Sequence, residues 1–417
     1  MPHLRQTGAD NIRRRFAFIL ALTCGIATSF ASAQTYTVLH DFTGADDGGT
    51  PFAALTPHAS GFYGTTSTGG TRGLGTVYRF ANSGDSWQLY VLYAFDGLDN
   101  LRDGIAPYAG LVIGDDGALY GTTHSGGQGN GCPQRYGCGT VYRVKPGAAV
   151  AVWDEAVLLG FGNTDGSNPD RGALVFDRSG NLYGTTRSGG ADSDGTIFEM
   201  TSTRGIWRET VLHSFNGSDG ASPLSGVAFD EQGNLYGTTS AGGANNLGEV
   251  YRMQRSNSGW TEDVLYSFTG GADGSIPVAG LILDASGNLY GATQSGGEAG
   301  GGAVFELSPS PNGNWNLTTL AALPGSSSGG PASSLVMDAS GNLYGTTSGD
   351  GSLLSGSVFK LTRSNGAWSY RSLHDFTGGA DGGTPYSSLV LDADGNLYGT
   401  ASAGGAYGEG VIFKISQ

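Results

Sequence analysis

The sequence predicts an all-β fold, a seven-bladed β-propeller of four-stranded blades. Three observations carry this. A Tyr-Gly pair recurs in one setting at Tyr63, Tyr120, Tyr183, Tyr236, Tyr290, Tyr344 and Tyr398, at spacings of 57, 63, 53, 54, 54 and 54 residues, a period that marks a repeat architecture. Each repeat reads as four short strands without helical spacing, the make-up of a propeller blade. Trp87, Trp153, Trp207, Trp260, Trp315 and Trp368 each open a fourth strand, and eight residues later stand Phe95, Phe161, Phe215, Phe268, Leu323 and Phe376.

Taken in order, residues 1–33 stand outside the repeat. Arg13, Arg14 and Arg15 precede an apolar run from Phe16 to Phe30 and then Ala31-Ser32-Ala33. That is the pattern of a signal peptide cleaved after Ala33. The run is too short to span a membrane comfortably, and Arg13 to Phe16 also loosely resembles a twin-arginine export signal. Export places the protein in a secreted or periplasmic setting. Removing four Arg and Asp10 takes the formal charge from −15 to −18. Such an acidic protein repels nucleic-acid phosphates and anionic membranes, so neither nucleic acid nor membrane insertion is expected. The charge keeps an exported chain soluble, and a monomer is expected.

Residues 34–417 hold the repeats. In the fifth, Val278 to Leu283 is an apolar run read as a strand buried on both faces. Asp284 to Asn288 has the residues of a tight turn, and Leu289 to Thr293 is the second strand. A Gly-rich loop, Ser295 to Gly302, leads to a third strand at Ala303 to Leu307, and Trp315 to Leu320 begins the fourth. The last repeat stops after a third strand. Tyr36 to Phe42 matches Arg371 to Phe376, so the N-terminal strand is expected to complete the last blade and close the ring. Of the 75 glycines all but Gly8 and Gly25 lie in the repeat region, where they recur at fixed places and mark turns. Cys24 leaves with the signal peptide. Cys132 and Cys138 remain, an even pair expected to form a disulfide in an oxidising compartment.

The repeated residues Asn-Leu-Tyr-Gly-Thr-Thr, then Ser-x-Gly-Gly, then Gly-Thr-Val-Tyr resemble the tandem GloVer repeat of exported bacterial proteins, named for Gloeobacter and Verrucomicrobia. The resemblance covers nearly all of the mature chain. It implies export and a repeat fold, and supplies no shared catalytic residue. Members carry varied surface anchors. No sorting tail follows Gln417, which favours a freely secreted or periplasmic protein. At the fold level the repeat is also similar to the seven-bladed streptogramin lyases, an analogy only.

Strand parity puts the second-to-third and fourth-to-first connections on one, loop-rich face. That face carries Asp-Gly-x-x-Pro at Asp47, Asp103, Asp165, Asp219, Asp273 and Asp381, with Ser327 in the sixth place. Six carboxylates there suggest a ring at the channel entrance for a cation or polar ligand. The competing reading is that each Asp caps its own turn ahead of Pro. Asp177, Asp230, Asp284, Asp338 and Asp392 precede the hairpin turns of the opposite face and read as turn residues. His40, His213 and His374 share a position filled elsewhere by Tyr93 and Tyr266, an interchange that argues for packing.

Function is sought where repeats break. Ser125 to Gly139 in the second blade is seven residues longer than its equivalents and holds both cysteines; Asp96 to Asp103 is about three longer. Together they present Asp99, Asn100, Arg102, His124, Gln134, Arg135 and Tyr136. This is a basic and aromatic patch that a disulfide would pre-order for binding; the alternative is a tolerated loop insertion. Gly-x-Ser-x-Gly, His-Glu-x-x-His and phosphate-loop motifs are missing. The leading reading is an exported binding module for a carbohydrate or cell-envelope ligand. One alternative is a secreted polysaccharide lyase or hydrolase acting at the loop-rich face through His124, Arg135 and Tyr136, with Arg neutralising a uronate. Another is a structural envelope protein. No cofactor and no metal site is assigned: calcium at the Asp ring is weighed, and zinc at Cys132 and Cys138 is set aside because two thiolates with no nearby His make a poor zinc set.

Overall fold

The computed structural model describes residues 34–417 except 85, 98–100, 130, 133–134, 148–152, 258 and 326–328. The signal peptide expected at 1–33 lies outside the described residues. Among those described, 28 strands form seven four-stranded antiparallel sheets, one per blade of a seven-bladed propeller.

The fifth blade shows how the repeat folds. Its strands are Ile282–Leu283, Leu289–Thr293, Gly300–Pro309 and Trp315–Pro324, paired in sequence order. The turn between the first two is locked by Asp284. Its Oδ1 accepts hydrogen bonds from the Ser286 and Asn288 amides at 2.8 and 2.9 Å, and its Oδ2 accepts from Asn288 Nδ2 at 2.8 Å and the Tyr290 hydroxyl at 3.2 Å. Asp, Asn and Tyr of the repeat are thus one hydrogen-bonded unit. The glycine after Tyr has a different cause. Gly291 pairs with Phe305 across the second and third strands, and a Cβ on it would lie 2.6 Å from the Phe305 ring. The same aromatic lid covers Gly184 through Phe198 and Gly237 through Tyr251.

The apolar run 278–283 is only partly a strand. Ile282–Leu283 alone joins the sheet, although Val278, Ala279 and Leu281 are all buried. The reason lies near the axis, where the inner segments of neighbouring blades crowd together: a Cβ on Gly280 would meet Ser334 Oγ at 2.6 Å. Backbone carbonyls there are used between blades. The Thr238 hydroxyl donates to the Ala279 carbonyl at 3.0 Å, and Thr65, Thr185 and Thr346 donate in the same way to Ala109, Ser225 and Ser387. These hydroxyls would otherwise be buried without partners, so the bonds join blade to blade at a site where an unmade bond is costly.

The cores likewise lie between blades. Phe215, eight residues after Trp207, is fully buried and packs on Tyr251 of the next blade at 5.3 Å. The N-terminal strand Thr35–Asp41 pairs antiparallel with Val411–Ser416, outermost in the sheet of Val390–Leu391 and Leu397–Ala401. Tyr36 stacks on His374 with ring centroids 3.8 Å apart. The last and first blades meet through Thr400 Oγ1, which donates to the Ala53 carbonyl at 3.1 Å, and through Phe62 against Tyr398 at 4.9 Å.

Candidate functional site

The six repeated loop carboxylates hold their own turns. Asp273 accepts from the Thr269 amide at 2.7 Å and hydroxyl at 2.6 Å, and from the Tyr266 hydroxyl at 3.0 Å. Asp103 accepts from the Asp96 amide at 2.9 Å and the Tyr93 hydroxyl at 3.2 Å; Asp165 accepts from the Gly162 amide at 2.7 Å. Asp47 and Asp381 accept from the amides of Thr43 and Thr377 and from His40 and His374; Asp219 accepts from the Asn216 amide. Ser327, in the sixth place, lies outside the described residues. None of the six lines the central channel. The ring of carboxylates expected at its entrance is corrected to this: each lies beside the outer strand preceding its loop, because turn amides there need an acceptor. The interchange of His and Tyr is explained as well. Each ring packs edge-on against the Phe two residues later, as His40 does on Phe42 at 4.9 Å and Tyr93 on Phe95 at 5.2 Å, and its polar tip reaches the Asp.

The second-blade insertion forms a tied loop. Cys132 and Cys138 are disulfide-bonded, and Cys138 is buried beside Phe161. The Gly127 amide donates to the Leu101 carbonyl at 2.8 Å, so the two lengthened connections are neighbours. Arg102, Arg135 and Tyr136 are exposed, with the Arg135 guanidinium 5.3 Å from the Tyr136 ring centre. Asp99, Asn100 and Gln134 lie outside the described residues. His124 belongs to another group, at the channel.

The channel mouth is assembled from the residues that follow the repeated Pro. Segments of all seven blades enclose a cavity of about 220 Å³. The residue after Pro is aromatic in three adjacent blades: Tyr386, Phe52 and Tyr108. Phe52 lies 5.1 Å from each of the other two rings. In the third blade Pro169 and Leu174 are five positions apart, where Pro107 and Leu111 are four apart. This longer stretch carries Asp170 and Arg171. The Arg171 guanidinium stands 4.3 Å from the Tyr386 ring centre and 5.9 Å from that of Phe52, within range of cation–π attraction. The lengthening also displaces the usual acceptor, and the Thr122 hydroxyl is buried without a partner.

Two further side chains close the group. The residue ending the second strand's Thr-Thr pair is followed by His124 in the second blade and Arg187 in the third, where other repeats have Ser or Gln. The His124 ring lies 5.1 Å from Tyr108, its carbonyl accepts from Asn168 Nδ2 at 3.0 Å, and its Nδ1 is buried without a partner. Burial pushes the His124 pKa down, against the pull of Asp170, so the imidazole is neutral at pH 7. Arg187 is exposed and pairs with Asp170 at 3.8 Å. Burial together with Asp170 raises the Tyr108 pKa, with Arg171 opposing. One side of the mouth is therefore aromatic and basic. The other, with Leu224, Val278 and Ala332 after Pro, is plain.

The Gloeobacter/Verrucomicrobia repeat matches residues 23–132, 132–314 and 262–417. The chain belongs to that repeat family. No curated protein matches the chain in sequence. Among solved structures, this Gloeobacter/Verrucomicrobia-repeat protein is similar to an ulvan lyase, a polysaccharide lyase, at 12% identity and a TM-score of 0.54, over 91% of this chain and 95% of that one. An ulvan lyase bound to -[GlcA(1-4)Rha3S]- gives 12% identity and a TM-score of 0.52, over 90% and 95%. A gluconolactonase-like protein gives 14% identity and a TM-score of 0.43, over 93% of both chains. At these identities the likeness establishes the fold alone. No helix among the described residues is long and apolar enough to cross a membrane. The disulfide fits an oxidising compartment.

Proposed function

We propose that the protein is an exported carbohydrate-binding module that takes an acidic polysaccharide at the loop-rich mouth of its channel. The observation that carries this is Arg171 held over Tyr386 and Phe52, beside Tyr108 and His124. Aromatic faces offer flat apolar surface to a sugar ring. A guanidinium pairs with carboxylate or sulfate through a rigid fork of donors. In a chain of formal charge −15 an anionic ligand is repelled except where cations gather. The fold neighbours that are polysaccharide lyases guide the choice of first ligands.

One observation favours a second reading, a lyase acting on uronates at the same mouth. His124 is an imidazole that burial keeps neutral, and its Nδ1 is without a partner, available as a base once the ring turns toward a bound sugar. Such a base takes the proton from C5 of a uronate while an arginine neutralises the carboxylate. A C4–C5 double bond forms, and the O4 leaving group departs with a proton from an acid such as the Tyr108 hydroxyl. The test is retention of the purified protein on ulvan, alginate and polygalacturonate against neutral dextran, read together with release of unsaturated chain ends. Expected is selective retention on acidic polymers, weakened at least tenfold by Arg171→Ala. Equal retention on dextran, or none altered by Arg171→Ala and Tyr386→Ala, overturns the proposal. Unsaturated ends that disappear in His124→Ala promote the lyase.

A further inference from the structure

The polar joints between blades repeat one arrangement with one exception. At the joints that carry the loop Asp, that position faces a first residue, on the preceding outer strand, and a third, two after Trp in the next one, as Asp103, Asp165 and Asp219 face Glu155, Glu209 and Glu262. His40 and His374 have Leu89 and Tyr36 in that third place. Glu155 and Glu209 have Tyr93 and Leu159 in the first. Among the described residues only the joint between the third and fourth blades combines a histidine with two carboxylates. A His213 ring nitrogen, an Asp219 oxygen and a Glu262 oxygen lie within 4.8 Å of one another.

The joint is electrostatically incomplete. His213 Nε2 is 3.2 Å from Asp219 Oδ2 but is not aligned for a hydrogen bond, unlike His40 and His374 with their carboxylates. Glu262 Oε1 is buried without a partner. Glu249, fully buried, lies near Glu262, and among the described residues no lysine or arginine forms an ion pair with Asp219, Glu249 or Glu262. Two carboxyl groups and an imidazole nitrogen thus face one small space, a donor set that suits a cation.

We propose that a divalent transition-metal ion of the zinc class binds between the third and fourth blades, held by His213, Asp219 and Glu262. The imidazole selects for a borderline metal over calcium or magnesium, which favour all-oxygen sets. Ligands on zinc sit about 2.1 Å from the ion and hence roughly 3.4 Å apart, so the three side chains close in by about 1 Å through rotation. Bound there, the metal fastens the outer strand of one blade to the loop and outer strand of the next.

The test uses the purified protein stripped with EDTA and titrated with ZnCl₂, with CaCl₂ as the comparison. Expected is one equivalent of Zn²⁺ per chain, a raised Tm, and weaker affinity for Ca²⁺. Both His213→Ala and Glu262→Gln weaken Zn²⁺ binding at least tenfold while keeping the circular dichroism of the parent. If His213→Ala fails to fold, the near-isosteric Glu262→Gln decides. The absence of stoichiometric uptake, as when a buried water fills the space, overturns the proposal. So does uptake unchanged in Glu262→Gln, or preference for Ca²⁺.

Discussion

Gly184 has no room for a side chain: a Cβ would come 2.6 Å from Phe198 Cζ and 2.8 Å from Leu174 Cδ2. Gly184→Ala is expected to lower stability by about 1–3 kcal/mol, the usual effect of overpacking. Combined with Phe198→Leu, which removes the ring, the same change should cost clearly less, a coupling that urea unfolding of the double-mutant cycle measures. Additive losses would show that the ring is not the cause. At this scale much was legible in the sequence. Asp284, Asn288 and Tyr290 read as turn and strand because their bonds are local. The mouth was not read, because Tyr386, Phe52, Tyr108 and Arg171 come from four repeats at nearly one repeat position. The available signal was the variation of that position, and of the one holding His124 and Arg187, within a sequence that otherwise repeats. Lengthened loops drew attention to Arg135 and Tyr136, whereas a single extra residue near Arg171 marks the channel.

At the scale of the strand, the fourth of each blade carries more than packing. Glu155 and Glu209, two residues after their Trp, have pKa values pushed up to about 8, first by burial and then by Asp103 and Asp165 respectively. Their pKa in the unfolded chain is the ordinary 4.5. Between the two values the folded state keeps protons that the unfolded state has released. Stability from these groups is therefore fully present below pH 4.5 and is lost as pH rises toward 8. The Tm in metal-free buffer should fall from pH 5 to pH 8, and Glu155→Gln with Glu209→Gln should flatten that fall. A wild-type slope retained in the double variant would place the titrating groups elsewhere. The sequence showed these strands through Trp and Phe but not their buried carboxylates, since a Glu beside an exposed-looking polar residue gives no sign of its depth. The first strand was overread for the converse reason. Val278 to Leu283 is apolar because it is buried, and burial near the axis does not require a ladder.

For the whole molecule, the consequence of building cores between blades is that stability depends on every neighbour being present. A lone blade leaves faces such as that of Phe215 and Tyr251 uncovered, and Thr238 and Thr346 without acceptors. The joint between the last and first blades is the vulnerable one, because no chain connects its outer strand to the strand it pairs with except through the whole ring. Removing residues 34–41 takes away the partner of Val411–Ser416, the Tyr36 stack on His374 and the hydrogen bond from the Tyr36 hydroxyl to the Asp381 carbonyl at 2.5 Å. It also bares a strand edge carrying Val411, Phe413 and Ile415, all fully buried in the intact chain, and such an edge templates pairing with another chain. The truncated protein should unfold at lower urea concentration with a loss of several kcal/mol, about what one core aromatic and its neighbours contribute, and should elute as oligomers in size-exclusion chromatography. Tyr36→Ala in the full chain tests the same joint without exposing the edge; it should lower the urea midpoint and leave the elution volume of the full chain unchanged. A truncated chain with the elution volume of the full chain and an unchanged midpoint would mean that the first strand's pairing with Val411–Ser416 adds nothing to the fold, and that the ring holds through Thr400, Ala53, Phe62 and Tyr398 alone.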